Sequence, residues 1–451
     1  MVSGWEFITA HKRIMLCSAL VYIAGVAFVY KQLPRPEQHF DIDSGGYHKT
    51  AVHKNDQGNF ELPNNPLLHP LGYPAVLAFI YRIFGQNVVW VVIIQAIAAF
   101  LSIIAIMLTA FYWYGPRTAW YAFFLALANV GFYIFPQVLL VESFQLFCIS
   151  WAWERFFYFV LTDNRQSLFI SGLFLGVSLL FKPSALHLPL GVLLFLFIAA
   201  CDKRAFLHRY AFATVLFMGA FAIPVLVIMV RNWAMWGYFS YSFLMEENLF
   251  FYFYQQLLSR VQGISENQAW SFFDQLVDKS YSKFDVRYWQ GVKTSFFATV
   301  LTFWDQAIVI WIQNAIKNCF GLYTRTFVIL QQPLLQKKLI SFFSADSFLY
   351  AIKAQVVAGG LVGVCLAVYE CCYSSIRWVL LLVGLGEREK DLFFWLTFLS
   401  GFYFLGLLCM TGNGRYRLVF EPLSIVFTAH VLYASSSAIL KMKMFRAGRV
   451  V

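Results

Sequence analysis

The chain has 451 residues, of which 60% are hydrophobic and only 13% charged, and its formal net charge is +11. So little charge cannot cover a soluble protein of this length, and several apolar runs approach the ~20 residues that span a bilayer. The runs are continuous rather than alternating, which argues against a membrane β-barrel. The positive balance does not point to nucleic acid, because no basic-aromatic module is present and the cations sit in short loops beside apolar spans.

The expected class is an all-α polytopic membrane protein with about ten transmembrane helices. The predicted spans are 14–30, 87–112, 118–135, 139–160, 167–182, 184–200, 210–230, 356–384, 391–410 and 418–440. His11-Lys12-Arg13 precedes the first span and no small-residue cleavage site follows it, so it is expected to be retained as a helix. Lys12, Arg13, Arg117, Arg165, Lys203, Arg204, Arg209, Lys441, Lys443, Arg446 and Arg449 then fall on one face. By the charge bias of membrane loops that face, with both termini, is cytoplasmic. Two long polar stretches, 31–86 and 231–349, fall on the other side, and the chain is expected to be one membrane domain, 1–451, with these outer elaborations.

Inside the first outer stretch, Gly72 to Phe84 is apolar but too short to cross, which predicts an interfacial helix. In the second, Ile312, Ile316, Phe320 and Tyr323 recur at helical spacing, with Lys317 and Arg325 toward the polar side. That pattern fits a helix lying on the membrane or one buried under the outer region. Region 350–385 holds Glu370 and Arg377 in an apolar stretch and is expected to be one long helix after an interfacial turn. The eight cysteines, Cys17, Cys148, Cys201, Cys319, Cys365, Cys371, Cys372 and Cys409, form no CxxC pair. They are expected to be packing residues rather than a zinc or disulfide framework.

The most informative stretch follows the first span: Phe40-Asp41-Ile42-Asp43-Ser44-Gly45-Gly46-Tyr47-His48. Asp41 and Asp43 share a face only on extended backbone, and Gly45-Gly46 would permit a tight turn. A carboxylate here could be a general base toward an acceptor hydroxyl or amine, or could hold a divalent cation that balances a phosphate. Asp43 or Ser44 could equally cap a helix through Tyr47. His39 and His48 flank the pair without a recognisable zinc spacing.

Other candidates lie at the same outer rim. His69-Pro70-Leu71-Gly72-Tyr73-Pro74 sets a rigid re-entry to the membrane, and His69 could bind a phosphate or the acceptor. Glu142 opens a span, where an acid is costly unless paired, or serves as a helix-start charge. Lys182-Pro183, Arg231-Asn232 and Arg415-Tyr416-Arg417 bring cations to one face from distant parts of the chain. Each alone could snorkel to headgroups, but together they suit a lipid phosphate or pyrophosphate.

With these residues in place, the chain resembles the GT-C integral-membrane glycosyltransferases, and within them the protein O-mannosyltransferase and lipid A aminoarabinose transferase group. Asp43 and Tyr47 match an Asp-x-x-x-Tyr element after the first span. His69 to Pro74 matches an Arg-Pro-Pro-Gly-Tyr-Pro-like element, and Glu142 the acid opening the fourth span. Gly172, Gly176, Lys182 and Pro183 match a Gly-rich span ending in Arg/Lys-Pro. Arg231-Asn232 and Arg415-Tyr416-Arg417 with Pro422 match the remaining elements. The aminoarabinose transferases carry Glu-Lys where this chain has Leu68-His69, and the soluble insert of eukaryotic mannosyltransferases is absent.

The resemblance implies a bacterial inner-membrane enzyme of the cell envelope, with its site on the non-cytoplasmic side. It would transfer a sugar from a polyprenyl-phosphate-linked donor to a glycan, lipid or protein acceptor, inverting the anomeric carbon. Asp43 is the expected catalytic base, with Glu142 and Asp41 assisting. Tyr47, His69, Tyr73, Lys182, Arg231, Asn232, Arg415, Tyr416 and Arg417 are the expected substrate-binding residues. A divalent cation at Asp43 is the one cofactor considered. A transporter or flippase of an anionic lipid is the rival, with Glu370 and Arg377 as its candidate intramembrane charges.

Overall fold

A computed structural model describes residues 4–41, 43–60, 70–202, 207–237, 239–242, 252–265, 268–269, 286–323, 326–327, 330, 348–385, 391–407 and 414–446. His69, Arg325, Lys203, Arg204, Cys409 and Arg449 fall outside them. The described residues form helices and connecting turns, with no strand among them. In chain order the helices are α1 Gly4–Ala10, α2 Lys12–Lys31, α3 Ser44–Gln57, α4 Gly72–Phe84, α5 Val88–Tyr114, α6 Pro116–Leu127, α7 Gly131–Ile134, α8 Glu142–Thr162, α9 Arg165–Phe181, α10 Leu188–Asp202 and α11 Leu207–Trp236. There follow α12 Tyr254–Gln262, α13 Val286–Thr302, α14 Trp304–Phe320, α15 Phe348–Leu385, α16 Leu392–Leu407 and α17 Glu421–Arg446.

Each predicted span coincides with a helix. By length and apolarity four described helices can cross a membrane: Lys12–Lys31, Val88–Tyr114, Ala211–Met235 and Gly360–Leu385. The number is up to six if each of two bent pairs counts as one span. Helices α9, α10 and α16 are apolar but shorter. The protein is therefore an integral membrane protein, and among the described residues four to six spans of full crossing length are found where ten were expected.

Two differences from the expectation have local causes. The predicted span 118–135 is bent by 57° between α6 and α7. Asn129 interrupts it, accepting from the Gly131 N–H at 2.9 Å while its own amide donates to Glu421 at 3.2 Å. Region 350–385 is one helix in length but breaks at Gly360, whose φ of 56° and ψ of −163° lie where only glycine is comfortable. A helix over 348–359 thus precedes the span Gly360–Leu385, so the region holds two helices rather than the single one expected after a turn. The helix predicted at Gly72–Phe84 forms as α4. The predicted stripe on α14 splits, with Ile312 and Ile316 exposed and Tyr323 buried beyond its end.

The core is α5, α8 and α9 packed side by side, with α6 and α17 against α5 and α11 against α9. Glycines decide how closely α9 is approached. A Cβ on Gly172 would stand 2.4 Å from the Phe217 carbonyl oxygen, and one on Gly176 would stand 2.3 Å from that of Phe221. This small-xxx-small seam lets two backbones touch, the way membrane helices pack without a hydrophobic drive. Gly72 does the same at the start of α4, where a Cβ would meet the Leu180 carbonyl oxygen at 2.4 Å. The Gly-Tyr-Pro element is thereby locked onto the end of α9, next to Lys182.

Hydrogen bonds from polar side chains in the apolar layers hold the outer loop in register. The Tyr73 hydroxyl, fully buried, donates to Gln95 at 2.8 Å. The Gln95 amide donates to the Pro136 and Val138 carbonyls at 2.9 and 2.8 Å. His39 Nδ1 donates to the Gln137 carbonyl at 2.6 Å, and the Leu139 N–H donates back to the His39 carbonyl at 3.0 Å. The turn before α8 is thus tied to both α5 and the segment that carries Asp41 and Asp43.

Gly72→Val should lower the thermal midpoint of the purified protein, since overpacking against backbone costs about 1–3 kcal/mol. Gly45→Ala should leave it unchanged or raised, because a Cβ there meets nothing within 4 Å. Equal effects of the two substitutions in a thermal ramp would show that the α4–α9 contact is not a close one.

Candidate functional site

The acidic stretch leaves α2 and folds back over the start of α8. Asp43 stands at the N-cap of α3, but its side chain makes no cap bond. Ser44 satisfies part of the turn instead, its Oγ accepting from the Asp41 N–H at 2.9 Å. Gly45 and Gly46, expected in a tight turn, lie in the first turn of α3 without positive φ. Their contribution is space, because no atom lies within 4 Å of a Cβ built on either.

The Asp43 carboxylate, spared from capping, meets Arg415. This arginine sits in a short 3₁₀ turn, Gly414–Val419, just before α17. Its Nη1 donates to Asp41 Oδ2 at 3.2 Å and its Nη2 to Asp43 Oδ2 at 3.1 Å. Its Nε lies 3.9 Å from Glu142 Oε1. The Lys182 ammonium, at the end of α9, donates to that same Glu142 oxygen at 3.2 Å. Gln145, one turn along α8, fixes the Lys182 backbone by donating to its carbonyl at 3.2 Å and to Ser184 Oγ at 2.7 Å. Three carboxylates thus surround two cations. Glu142 Oε2 is buried with no hydrogen-bond partner, a costly state for a carboxylate oxygen.

Five of the expected residues, Asp41, Asp43, Glu142, Lys182 and Arg415, are brought into one cluster from four separate parts of the chain. Tyr47 and Tyr73 pack edge to face beneath it, with centroids 5.2 Å apart. The expected cation pair on α11 contributes differently. Arg231 donates to Asn232 Oδ1 at 2.9 Å, and Asn232 donates to the Ser240 and Tyr241 carbonyls at 2.8 and 3.3 Å. Asn232 thereby turns the chain after α11 and seats Tyr241, whose hydroxyl is buried with no hydrogen-bond partner. Tyr241 was not legible as a site residue. Gln95 and Gln145 carry a signal that could have been read, since a polar residue in a membrane span rarely lacks a task.

Arg417, grouped by sequence with Arg415, faces elsewhere. Residues two apart in a 3₁₀ turn point about 120° from one another. Arg417 is buried and donates from Nε to Glu421 at 3.0 Å and from Nη1 to the Cys319 carbonyl at 2.6 Å. Arg377 on α15 holds the other Glu421 oxygen at 2.5 Å. Tyr323 donates its hydroxyl to Glu421 at 3.0 Å and its backbone N–H to Glu370 at 2.6 Å. Glu370 lies 3.7 Å from Arg417. Two arginines and two glutamates thus neutralise each other inside the protein. Tyr416 lies in the same turn as Arg415 and Arg417.

For a metal, Asp41 and Asp43 supply hard oxygen donors, but Arg415 already bridges them. Among the described residues no group of three or more His, Cys, Asp or Glu gathers around one point. The two flanking histidines turn to other tasks. His48 Nδ1 meets the Tyr81 hydroxyl at 2.9 Å, and His39 is used as described above. Burial lowers the pKa of both imidazoles.

Arg417→Gln should destabilise the fold by about 3–5 kcal/mol, because it leaves buried carboxylates underpaired. Arg415→Gln should cost less, because Asp41 and Asp43 are more exposed than Glu421 and the buried Glu142 keeps Lys182. Chemical denaturation of the two variants side by side checks this. Acidification tests His39. Its stabilisation is intact above its ordinary pKa of about 6.5 and falls as pH drops toward the lowered folded value, because only the unfolded imidazole gains a proton. The thermal midpoint should fall between pH 7 and pH 5.5, and less steeply in His39→Asn.

Comparisons with known proteins bear on the sequence family and the fold. A family model described as dolichyl-phosphate-mannose-protein mannosyltransferase matches residues 68–228, the segment from the His-Pro element through Lys182. Curated protein sequences return no match. Among solved structures, the chain is similar to ArnT from Cupriavidus metallidurans bound to undecaprenyl phosphate, with 16% identity, a TM-score of 0.41 and coverage of 93% of this chain and 79% of that one. It is also similar to the archaeal oligosaccharyltransferase AglB from Archaeoglobus fulgidus in complex with an inhibitory peptide and a dolichol-phosphate. There the identity is 12% and the TM-score 0.54, over 97% of this chain and 52% of that one. The chain has the GT-C fold of these membrane proteins and carries, over residues 68–228, the sequence pattern of the dolichyl-phosphate-mannose-protein mannosyltransferases.

Proposed function

We propose that the protein is a membrane glycosyltransferase that takes a sugar from a polyprenyl-phosphate-linked donor, on the face opposite its basic loops. The observation that carries this reading is Arg415 held between Asp41, Asp43 and Glu142, with Lys182 on the same glutamate. A base and a phosphate clamp are thereby preassembled and neutralise one another at rest. The match to the mannosyltransferase family model and the fold shared with AglB support the same class.

In this reading the donor phosphate takes hydrogen bonds from Arg415 and Lys182, with Arg231 approaching from the end of α11. Arginine supplies bidentate contacts and lysine a point charge. As Arg415 turns to the phosphate, Asp43 is released to accept a proton from the acceptor hydroxyl or amine. The acceptor attacks the anomeric carbon in line, its bond to the phosphate oxygen breaks, and the lipid phosphate leaves on the clamp. A single displacement inverts that carbon. Glu142 Oε2 is placed to accept from a sugar hydroxyl. If a divalent cation takes part, Asp41 and Asp43 would hold it and it would supply further charge neutralisation to the phosphate. The transporter reading relied on Glu370 and Arg377, and both are committed to the ionic network with Arg417 and Glu421.

Asp43→Asn should reduce transfer by about 10²–10⁴-fold in purified protein supplied with donor lipid, the range expected for loss of a positioned base. Arg415→Gln should mainly raise the KM for the donor. Radiolabelled sugar transfer measures both, and undiminished turnover by the Asn variant would remove Asp43 from the mechanism.

A further inference from the structure

A cavity with polar side chains in its lining lies away from the carboxylate cluster. It has a volume of about 690 Å³ and lies where α3 and α4 both end. Lys54 and Asn55 line it from α3, and Tyr81, Arg82 and Gln86 from α4 and the residues just beyond. No carboxylate is among its lining residues. Twelve residues of helical rise, about 18 Å, separate Asp43 from Asn55 along α3, so the cavity is not part of the first site.

The bland account is that Lys54 and Arg82 simply complement two helix C-termini. It suffices for Lys54, which donates to the Gly58 carbonyl at the end of its own helix and lies over the Phe60 ring. It does not suffice for Arg82. Among the described residues Arg82 has no hydrogen-bond or ion-pair partner, and it is an exposed residue that lines the cavity. The cavity is also at the membrane boundary. Gln86 lies two residues before α5, a helix able to span the bilayer. Phe79 and Ile83, one turn apart on α4, are exposed beside Arg82, and Phe84 stacks on Trp90 at 4.6 Å. Aromatic rings at such a level mark the headgroup zone. A cationic recess therefore opens directly onto an apolar, outward-facing strip.

We propose that this cavity binds the phosphate of an anionic lipid. The phosphodiester would take charge-assisted hydrogen bonds from Arg82 and Lys54, with Asn55 and Gln86 meeting the polar headgroup. The acyl chains would run along Phe79 and Ile83. The proposal does not depend on the transfer reaction, and its test reads binding rather than turnover.

The protein is reconstituted in nanodiscs of phosphatidylcholine alone or of phosphatidylcholine doped with phosphatidylglycerol. The anionic lipid should raise the thermal midpoint of the wild type, and the gain should vanish in Lys54→Gln/Arg82→Gln. A control, Lys31→Gln/Arg35→Gln, neutralises two exposed cations before α3 and should keep the gain. Phosphatidylglycerol retained by the purified protein, counted by native mass spectrometry, should fall roughly tenfold in the double variant, the loss expected for about 1.4 kcal/mol of binding. Should the double variant lack the wild-type midpoint in phosphatidylcholine, Arg82→Gln alone replaces it. Soluble glycerol phosphate, added in detergent, separates the sources. Protection of the wild type but not of the variant would assign the site to free phosphates as well as lipids. Full retention of the lipid gain in the variants, or no gain in the wild type with either probe, would overturn the proposal.

Discussion

The buried pair of arginines on Glu421 is the constraint from which the site follows. Ions removed from water are tolerated only when each charge and lone pair finds a partner. Satisfying that condition forces α14, α15, α17 and the short turn before α17 to meet at one level, since Tyr323, Glu370, Arg377, Arg417 and Glu421 come from all four regions. Once Arg417 is committed inward, the turn geometry directs Arg415 away from it. Arg415 then reaches Asp41 and Asp43, which are more exposed than the inner carboxylates, and the buried Glu142.

The opposite wall is built by neutral hydrogen bonds. Gln95 joins Tyr73 to the turn before α8, and His39 joins the acidic stretch to the same turn. These bonds lie in surroundings with little competing water, so they are stronger than on a surface and costly to leave half made. The contrast is functional. Hydrogen-bonded polar groups hold the frame, while Glu142 Oε2 and the Tyr241 hydroxyl are among the buried polar atoms of the described residues that have no partner. A carboxylate cluster balanced on one arginine is poised because its partners can change.

Much of the site was legible because each residue offended against its setting. Asp43 just after an apolar span, Glu142 opening an apolar helix, and Lys182 and Arg415 beside apolar helices are all costly unless paired, and the fold pairs them. Tyr241 had no such mark, since tyrosine is ordinary at a membrane boundary, and only the Asn232 contacts reveal where it goes. Arg415 and Arg417 looked alike because composition cannot tell a wetted arginine from a saturated one. Gly45-Gly46 looked like a turn because glycine signals permissiveness, whereas here the absent side chains leave room above the acids.

Hydrophobic run length by itself determined the membrane class and the helical segments, because hydrocarbon penalises every unpaired backbone or charged group along a local stretch of chain. The order of the motifs also determined the resemblance. Which cation meets which carboxylate was decided only by tertiary structure. That choice depends on close approaches such as Gly72 on Leu180, on the bend at Asn129 and on the inward commitment of Arg417, all of which join residues far apart in sequence. Pair energies between charges depend on distance and burial, and neither quantity exists until the chain has folded.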